Sequence, residues 1–108
     1  MDTTVPRAQA AVASARAALA EAQGDVSAAT EVYADAATRW RAFGHRVELG
    51  HALFGHGRCS ARLDRPNDAN KALDEAREIF SAMKANALIA AVDRARARRD
   101  AFPRASAR

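Results

Sequence analysis

A chain of 108 residues suits one domain, and with 49% hydrophobic but only 6% aromatic residues its apolar content is carried mostly by alanine. Of the 17 basic residues only Lys71 and Lys84 are lysine, and the net charge of +4 admits acidic protein surfaces or nucleic acid as partners without dictating a fold. The single Cys59 excludes an internal disulfide, no apolar run is long enough to span a bilayer, and no secretory leader pattern is present, so the expected compartment is the cytoplasm.

Residues 1–6 read as a flexible N-terminus, with Pro6 suited to a first helical turn. From Arg7 to Gln23 the residues Ala8, Val12, Ala15, Leu19 and Ala22 recur at helical spacing and predict a weakly apolar helix stripe. Gly24 ends that helix. Asp25 is placed to cap the next, whose stripe Val26, Ala29, Tyr33, Ala36, Trp40 and Phe43 is the strongest in the chain and reads as core. Gly44 is predicted to close it in a left-handed conformation.

Helix three is expected from Arg46 to Leu63, with Leu49, Leu53, Gly57 and Ser60 on its stripe and Phe54 to one side. A glycine on that stripe requires a neighbouring helix to come very close. After the break Asp64, Arg65, Pro66, helix four carries Ala69, Leu73, Ala76, Phe80 and Met83. Helix five, 87–100, shows Leu88, Ile89, Val92 and Ala95, and 103–108 reads as a disordered tail.

The second half repeats the first. Ala29 and Ala69, Tyr33 and Leu73, Ala36 and Ala76, Trp40 and Phe80, and Phe43 and Met83 are each separated by 40 positions. This spacing defines units 7–43 and 46–83 with a capping helix 87–100, and predicts an all-α domain over 7–102: a short α-solenoid of antiparallel helix pairs, about five helices in all. Leu53, Gly57, Ala69, Leu73 and Ala76, matched by Ala13, Ala17, Ala29, Tyr33 and Ala36, resemble the tetratricopeptide repeat. His56 and Ser60 depart from its usual residues, and the period is 40 where the family's is about 34. Longer repeats of this kind look like the C-terminal helical repeats of large bacterial ATP-binding transcriptional regulators and nucleotide cyclases. Met1 points to a free-standing chain, whereas the unpaired fifth helix points to a piece of a longer one.

For chemistry the sequence offers little. His45, His51, His56 and Cys59 fall close together, yet on one helix only His56 and Cys59 share a face, fewer ligands than zinc takes. Asp74, Glu75 and Glu78 beside Lys71 and Arg77 read as solvated surface charge. No catalytic residue, cofactor or metal is assigned. The resemblance implies that the first helix of each pair lines a concave face, which carries His51, Phe54, Arg58 and Arg62 from helix three and Arg94 and Arg98 from helix five. Such a basic face suits an acidic or extended peptide, gripped through arginine forks. The expected function is a non-catalytic interaction or scaffold module, a regulatory part of a signalling or transcription protein. One alternative is homo-oligomerisation through Leu88 and Ile89; another is weak nucleic-acid binding through Arg94, Arg96, Arg98 and Arg99.

Overall fold

The computed structural model describes residues 4–101, which form five α-helices and no strand. These are α1 (Thr4–Ala22), α2 (Val26–Phe43), α3 (Arg46–Arg62), α4 (Pro66–Ala82) and α5 (Asn86–Ala101). The all-α reading therefore stands. Helix one begins earlier than expected, since Thr4, Val5 and Pro6 are already helical, and the rest of the N-terminus expected to be flexible, residues 1–3, lies outside the described residues. The tail expected at 103–108 lies outside the described residues.

All four helix connections close in the same way. The amide of Asp25 donates to the Ala20 carbonyl, His45 to Trp40, Arg65 to Ser60 and Ala85 to Phe80, at 2.9 to 3.2 Å. These six-residue closures use carbonyls that the end of a helix leaves without intrahelical partners. Each needs a left-handed residue, and Gly24, Gly44, Asp64 and Lys84 supply it with φ of 83°, 72°, 60° and 56°. The carbonyl of the residue just before each following helix, Asp25, His45, Arg65 or Ala85, then accepts from the amide of Ala29, Leu49, Ala69 or Ile89. Asp25 adds a side-chain cap, its Oδ1 accepting from the Ala28 amide at 3.2 Å.

Successive helices pack on each other in chain order, and α1 and α3 also touch. Their contacts run antiparallel: Tyr33 reaches Glu21 and Trp40 reaches Ser14 across α1 and α2. Across α4 and α5 the same sense appears in Arg77 to Asp93 and Arg96 to Asp74. Three of the charges expected to be solvated helix surface, Asp74, Glu75 and Arg77, thus tie helices together, with Arg41 bridging to Glu75 in α4 through two bonds of 2.6 and 3.0 Å. Exposed pairs of this kind contribute about 0 to 1 kcal/mol each, so they orient the helices more than they hold them.

Helix α3 is the centre. Besides the expected line of Leu49, Leu53, Gly57 and Ser60, it buries Gly50, Ala52, Gly55 and Cys59. One side meets α4, where a methyl group on Gly57 would stand 2.7 Å from Leu73 Cγ. Another meets α2, where a methyl on Gly55 would overlap the Tyr33 ring. Small residues on both sides let two helices approach α3 closely, and aromatic rings fill the space that remains. Tyr33, Trp40 and Phe80 are buried, as their stripes require.

Helix α1 differs from its reading. Its buried residues are Ala10, Ala13 and Ala17, whereas Ala8, Val12, Ala15, Leu19 and Ala22 all face outward. At the other end, Leu88 and Ile89 are half-buried and rest on the core around the fully buried Val92. Leu88 and Ile89, through which self-association was expected, are thus partly covered by the chain's own core.

Candidate functional site

Residues His51, Phe54, Arg58 and Arg62 follow one another at three- and four-residue steps and share one side of α3. At its centre Arg58 forks onto Glu21 at the end of α1, with Nε donating to Oε2 at 3.1 Å and Nη2 to Oε1 at 2.9 Å. The Tyr33 hydroxyl donates to the same Oε1 at 2.6 Å. Glu21 therefore joins three helices. Bidentate, charge-assisted bonds of this type are shorter and stronger than neutral ones.

The electrostatics follow from this geometry. Burial alone would raise the Glu21 carboxyl, but the bonds from Arg58 and Tyr33, with the charges of Arg58 and Arg62, hold it below the ordinary carboxylate range. Burial, followed by the bond to anionic Glu21, pushes the Tyr33 phenol up. Burial also raises the Cys59 thiol, with the Glu21 charge adding to it.

The Arg58 guanidinium lies 4.4 Å from the centre of the Phe54 ring, and Phe54 stands edge-on to Phe80 with centroids 6.4 Å apart. The exposed His51 ring sits 5.4 Å from Phe80. Thus His51, Phe54 and Arg58 form a connected aromatic and cationic strip, with Arg62 exposed at its end. Arg58 Nη1 makes no hydrogen bond among the described residues. Arg94 and Arg98 are exposed on α5, and among the described residues no hydrogen bond, ion pair or ring contact links them to the α3 strip. The arginine run divides: Arg96 is held by Asp74, and the Arg99 side chain lies outside the described residues.

His56 and Cys59 do not act as a pair. His56 Nδ1 lies 3.1 Å from the Thr30 carbonyl, which only accepts, so Nδ1 carries the proton. Cys59 is fully buried beside Ala17, Ala29 and Tyr33. Among the described residues no group of three or more His, Cys, Asp or Glu side chains is placed to hold a metal ion. No helix among them is long and apolar enough to cross a membrane.

No protein family, curated protein or solved structure matches the chain. The site is accordingly judged on its own geometry.

A second surface was not anticipated. A groove of about 590 Å³ runs between α1 and α2, floored by Val5, Val12 and Val32 and rimmed by Arg16, Glu31, Asp35 and Arg39. Val12, one residue of the weakly apolar stripe predicted for the first helix, lines it.

Proposed function

We propose that the chain is a non-catalytic interaction module, built as a short tetratricopeptide-like α-solenoid, that takes an acidic or extended peptide along the α3 face. The observation that carries this reading is the strip of His51, Phe54 and Arg58, in which Glu21 holds the Arg58 guanidinium over an aromatic ring. Ordering a long arginine side chain before binding removes part of the entropy that a ligand would otherwise have to overcome. The net charge of +4, with Arg62 exposed on α3 and Arg94 and Arg98 exposed on α5, favours an acidic segment as partner. The repeated helix closures support the solenoid, since identical turns at equal spacing bring each new helix onto the last in the same way. The non-catalytic part rests on Cys59, whose buried and raised thiol is a poor nucleophile, and on the use of Glu21 as an internal tie.

The test is fluorescence anisotropy with a labelled glutamate-rich peptide, read at low and moderate salt. The reading expects salt-sensitive binding that weakens at least about tenfold in the Arg94→Glu and Arg98→Glu double variant. Both side chains are exposed, so the fold should persist. Affinity unchanged by the double substitution, or no binding at all, would sink the proposal.

A further inference from the structure

Helix α1 carries an outward face of Val5, Ala8, Val12, Ala15, Leu19 and Ala22, and every one of these residues is exposed. The large members are 61%, 48% and 58% exposed at Val5, Val12 and Leu19. Their spacing alternates three and four over the helix, the seam geometry of a helix that meets another helix along its length. The repeat offset supports the same conclusion. Adding 40 to Val12, Ala15 and Leu19 gives Ala52, Gly55 and Cys59, which are buried in α3, Gly55 and Cys59 against Tyr33 of α2. Among the described residues no helix lies on the same face of α1.

We infer that this face pairs with the same face of a second copy of the chain, the two α1 helices running antiparallel. The argument is self-complementarity. In an antiparallel pair with Val12 facing Ala15 of the second copy, Val5 faces Ala22 and Leu19 faces Ala8. Every layer then sets one large residue against one alanine, and the two-fold relation repeats each layer with the roles exchanged. The flanking Ala11 and Ala18 are exposed and small, so the helix axes can come close. In this register Arg16 lies near Gln9 of the second copy and away from its own counterpart, so no like charges meet. A parallel pair would set large against large and alanine against alanine, leaving gaps at every second layer.

The size sets the strength. Nineteen residues at 1.5 Å each make a helix about 28 Å long. Two such helices bury on the order of 1,000 Å², the lower edge of a specific interface, so the dimer is reversible and concentration-dependent. This inference does not depend on the peptide reading of the α3 strip, because the two surfaces share no residue.

Sedimentation equilibrium over a wide concentration range is the first measurement. The expected result is a monomer–dimer equilibrium whose dissociation constant rises at least about tenfold in the Val12→Glu and Leu19→Glu double variant. Both positions are exposed, and circular dichroism should show the helical signal and melting retained. A wild-type chain that stays monomeric throughout, or a dimer that survives the double substitution, overturns the inference. The register is read by mixing a Val12→Cys chain with an Ala15→Cys chain under mild oxidation, since the native Cys59 is fully buried. The mixed disulfide should exceed both like-with-like products; a dominant Val12→Cys homodisulfide overturns the antiparallel arrangement.

Discussion

The two repeat units solve one packing problem with different chemistry. In the first, Trp40 meets Ser14, and the indole Nε1–H donates to the serine hydroxyl at 2.8 Å. Forty positions on, the same pair is Phe80 and Phe54, which meet edge to face at 84°. Tyr33 reaches Glu21 through its hydroxyl, whereas its counterpart Leu73 is fully buried beside Gly57 and carries no polar atom. Among the described residues no helix packs on the outer side of α1, and the polar ends of both aromatics of the first unit are tied to side chains of α1. The second is covered by α2 on one side and α5 on the other, and its seam is dry. Which helices flank a unit, more than the repeat pattern itself, decides which residues can be wholly apolar.

The largest effects should come from the two equivalent aromatic positions. Trp40→Ala and Phe80→Ala are each expected to cost about 3 to 5 kcal/mol in urea unfolding, a large share of the stability of a small domain. Phe80 should cost at least as much as Trp40 although it is the smaller ring, because it is fully buried and its neighbours Gly50, His51 and Phe54 cannot collapse into the space without moving a helix. A clearly larger loss at Trp40 would mean that the first unit, with its polar ties, is the true centre of the domain.

The same contrast explains what could be read from the sequence. Trp40, Tyr33 and Phe80 announced the α2 and α4 seams because large residues at helical spacing have nowhere to go but inward. The face of α1 that meets α2 is only Ala10, Ala13 and Ala17, and hydrophobic periodicity weighs Val12 and Leu19 above them. Close helix contact selects the smallest residues, so the most apolar stripe was the wrong one. The second buried side of α3 was hidden for the same reason, since Gly55 and Ala52 carry almost no hydrophobic signal. At the candidate site, His51, Phe54, Arg58 and Arg62 were named from the resemblance, and their three- and four-residue steps put them on one side of α3. The tie of Arg58 to Glu21 was not, because a bond spanning 37 positions has no local signature.

That tie gives the next prediction. The folded state holds Glu21 ionised to lower pH than the unfolded chain does, so folding releases protons in acid. The stabilisation is present above the unfolded carboxyl's titration near pH 4.3 and is lost as pH falls through the lowered folded value. Glu21→Gln should cost about 1 kcal/mol at neutral pH, with the difference from wild type shrinking as the medium is acidified. Glu75 and Asp93 are also held low, by Arg41 and Arg77, and contribute to the acid loss of both proteins equally. Unfolding curves that stay parallel from pH 7 to acid would show that Glu21 is not a structural tie.

The smallest effect concerns the turns, where the units differ by one side chain each. Gly24 and Gly44 close the first two helices, while Asp64 and Lys84 stand in the same left-handed geometry at the ends of the next two. A residue with a Cβ pays about 1 kcal/mol to sit there, and the cost is least for Asp, whose short polar side chain bonds locally. Lys84 has no such compensation, being exposed and left-handed at φ 56°. Lys84→Gly should therefore stabilise the domain by about 0.5 kcal/mol, the relief of the left-handed strain exceeding the added freedom of the unfolded chain. The expected rise in the thermal midpoint is small but of definite sign. A loss instead would mean that the lysine stem covers Phe80 or Leu88 in solution, and that the dry seam of the second unit depends on its turn as well as on its rings.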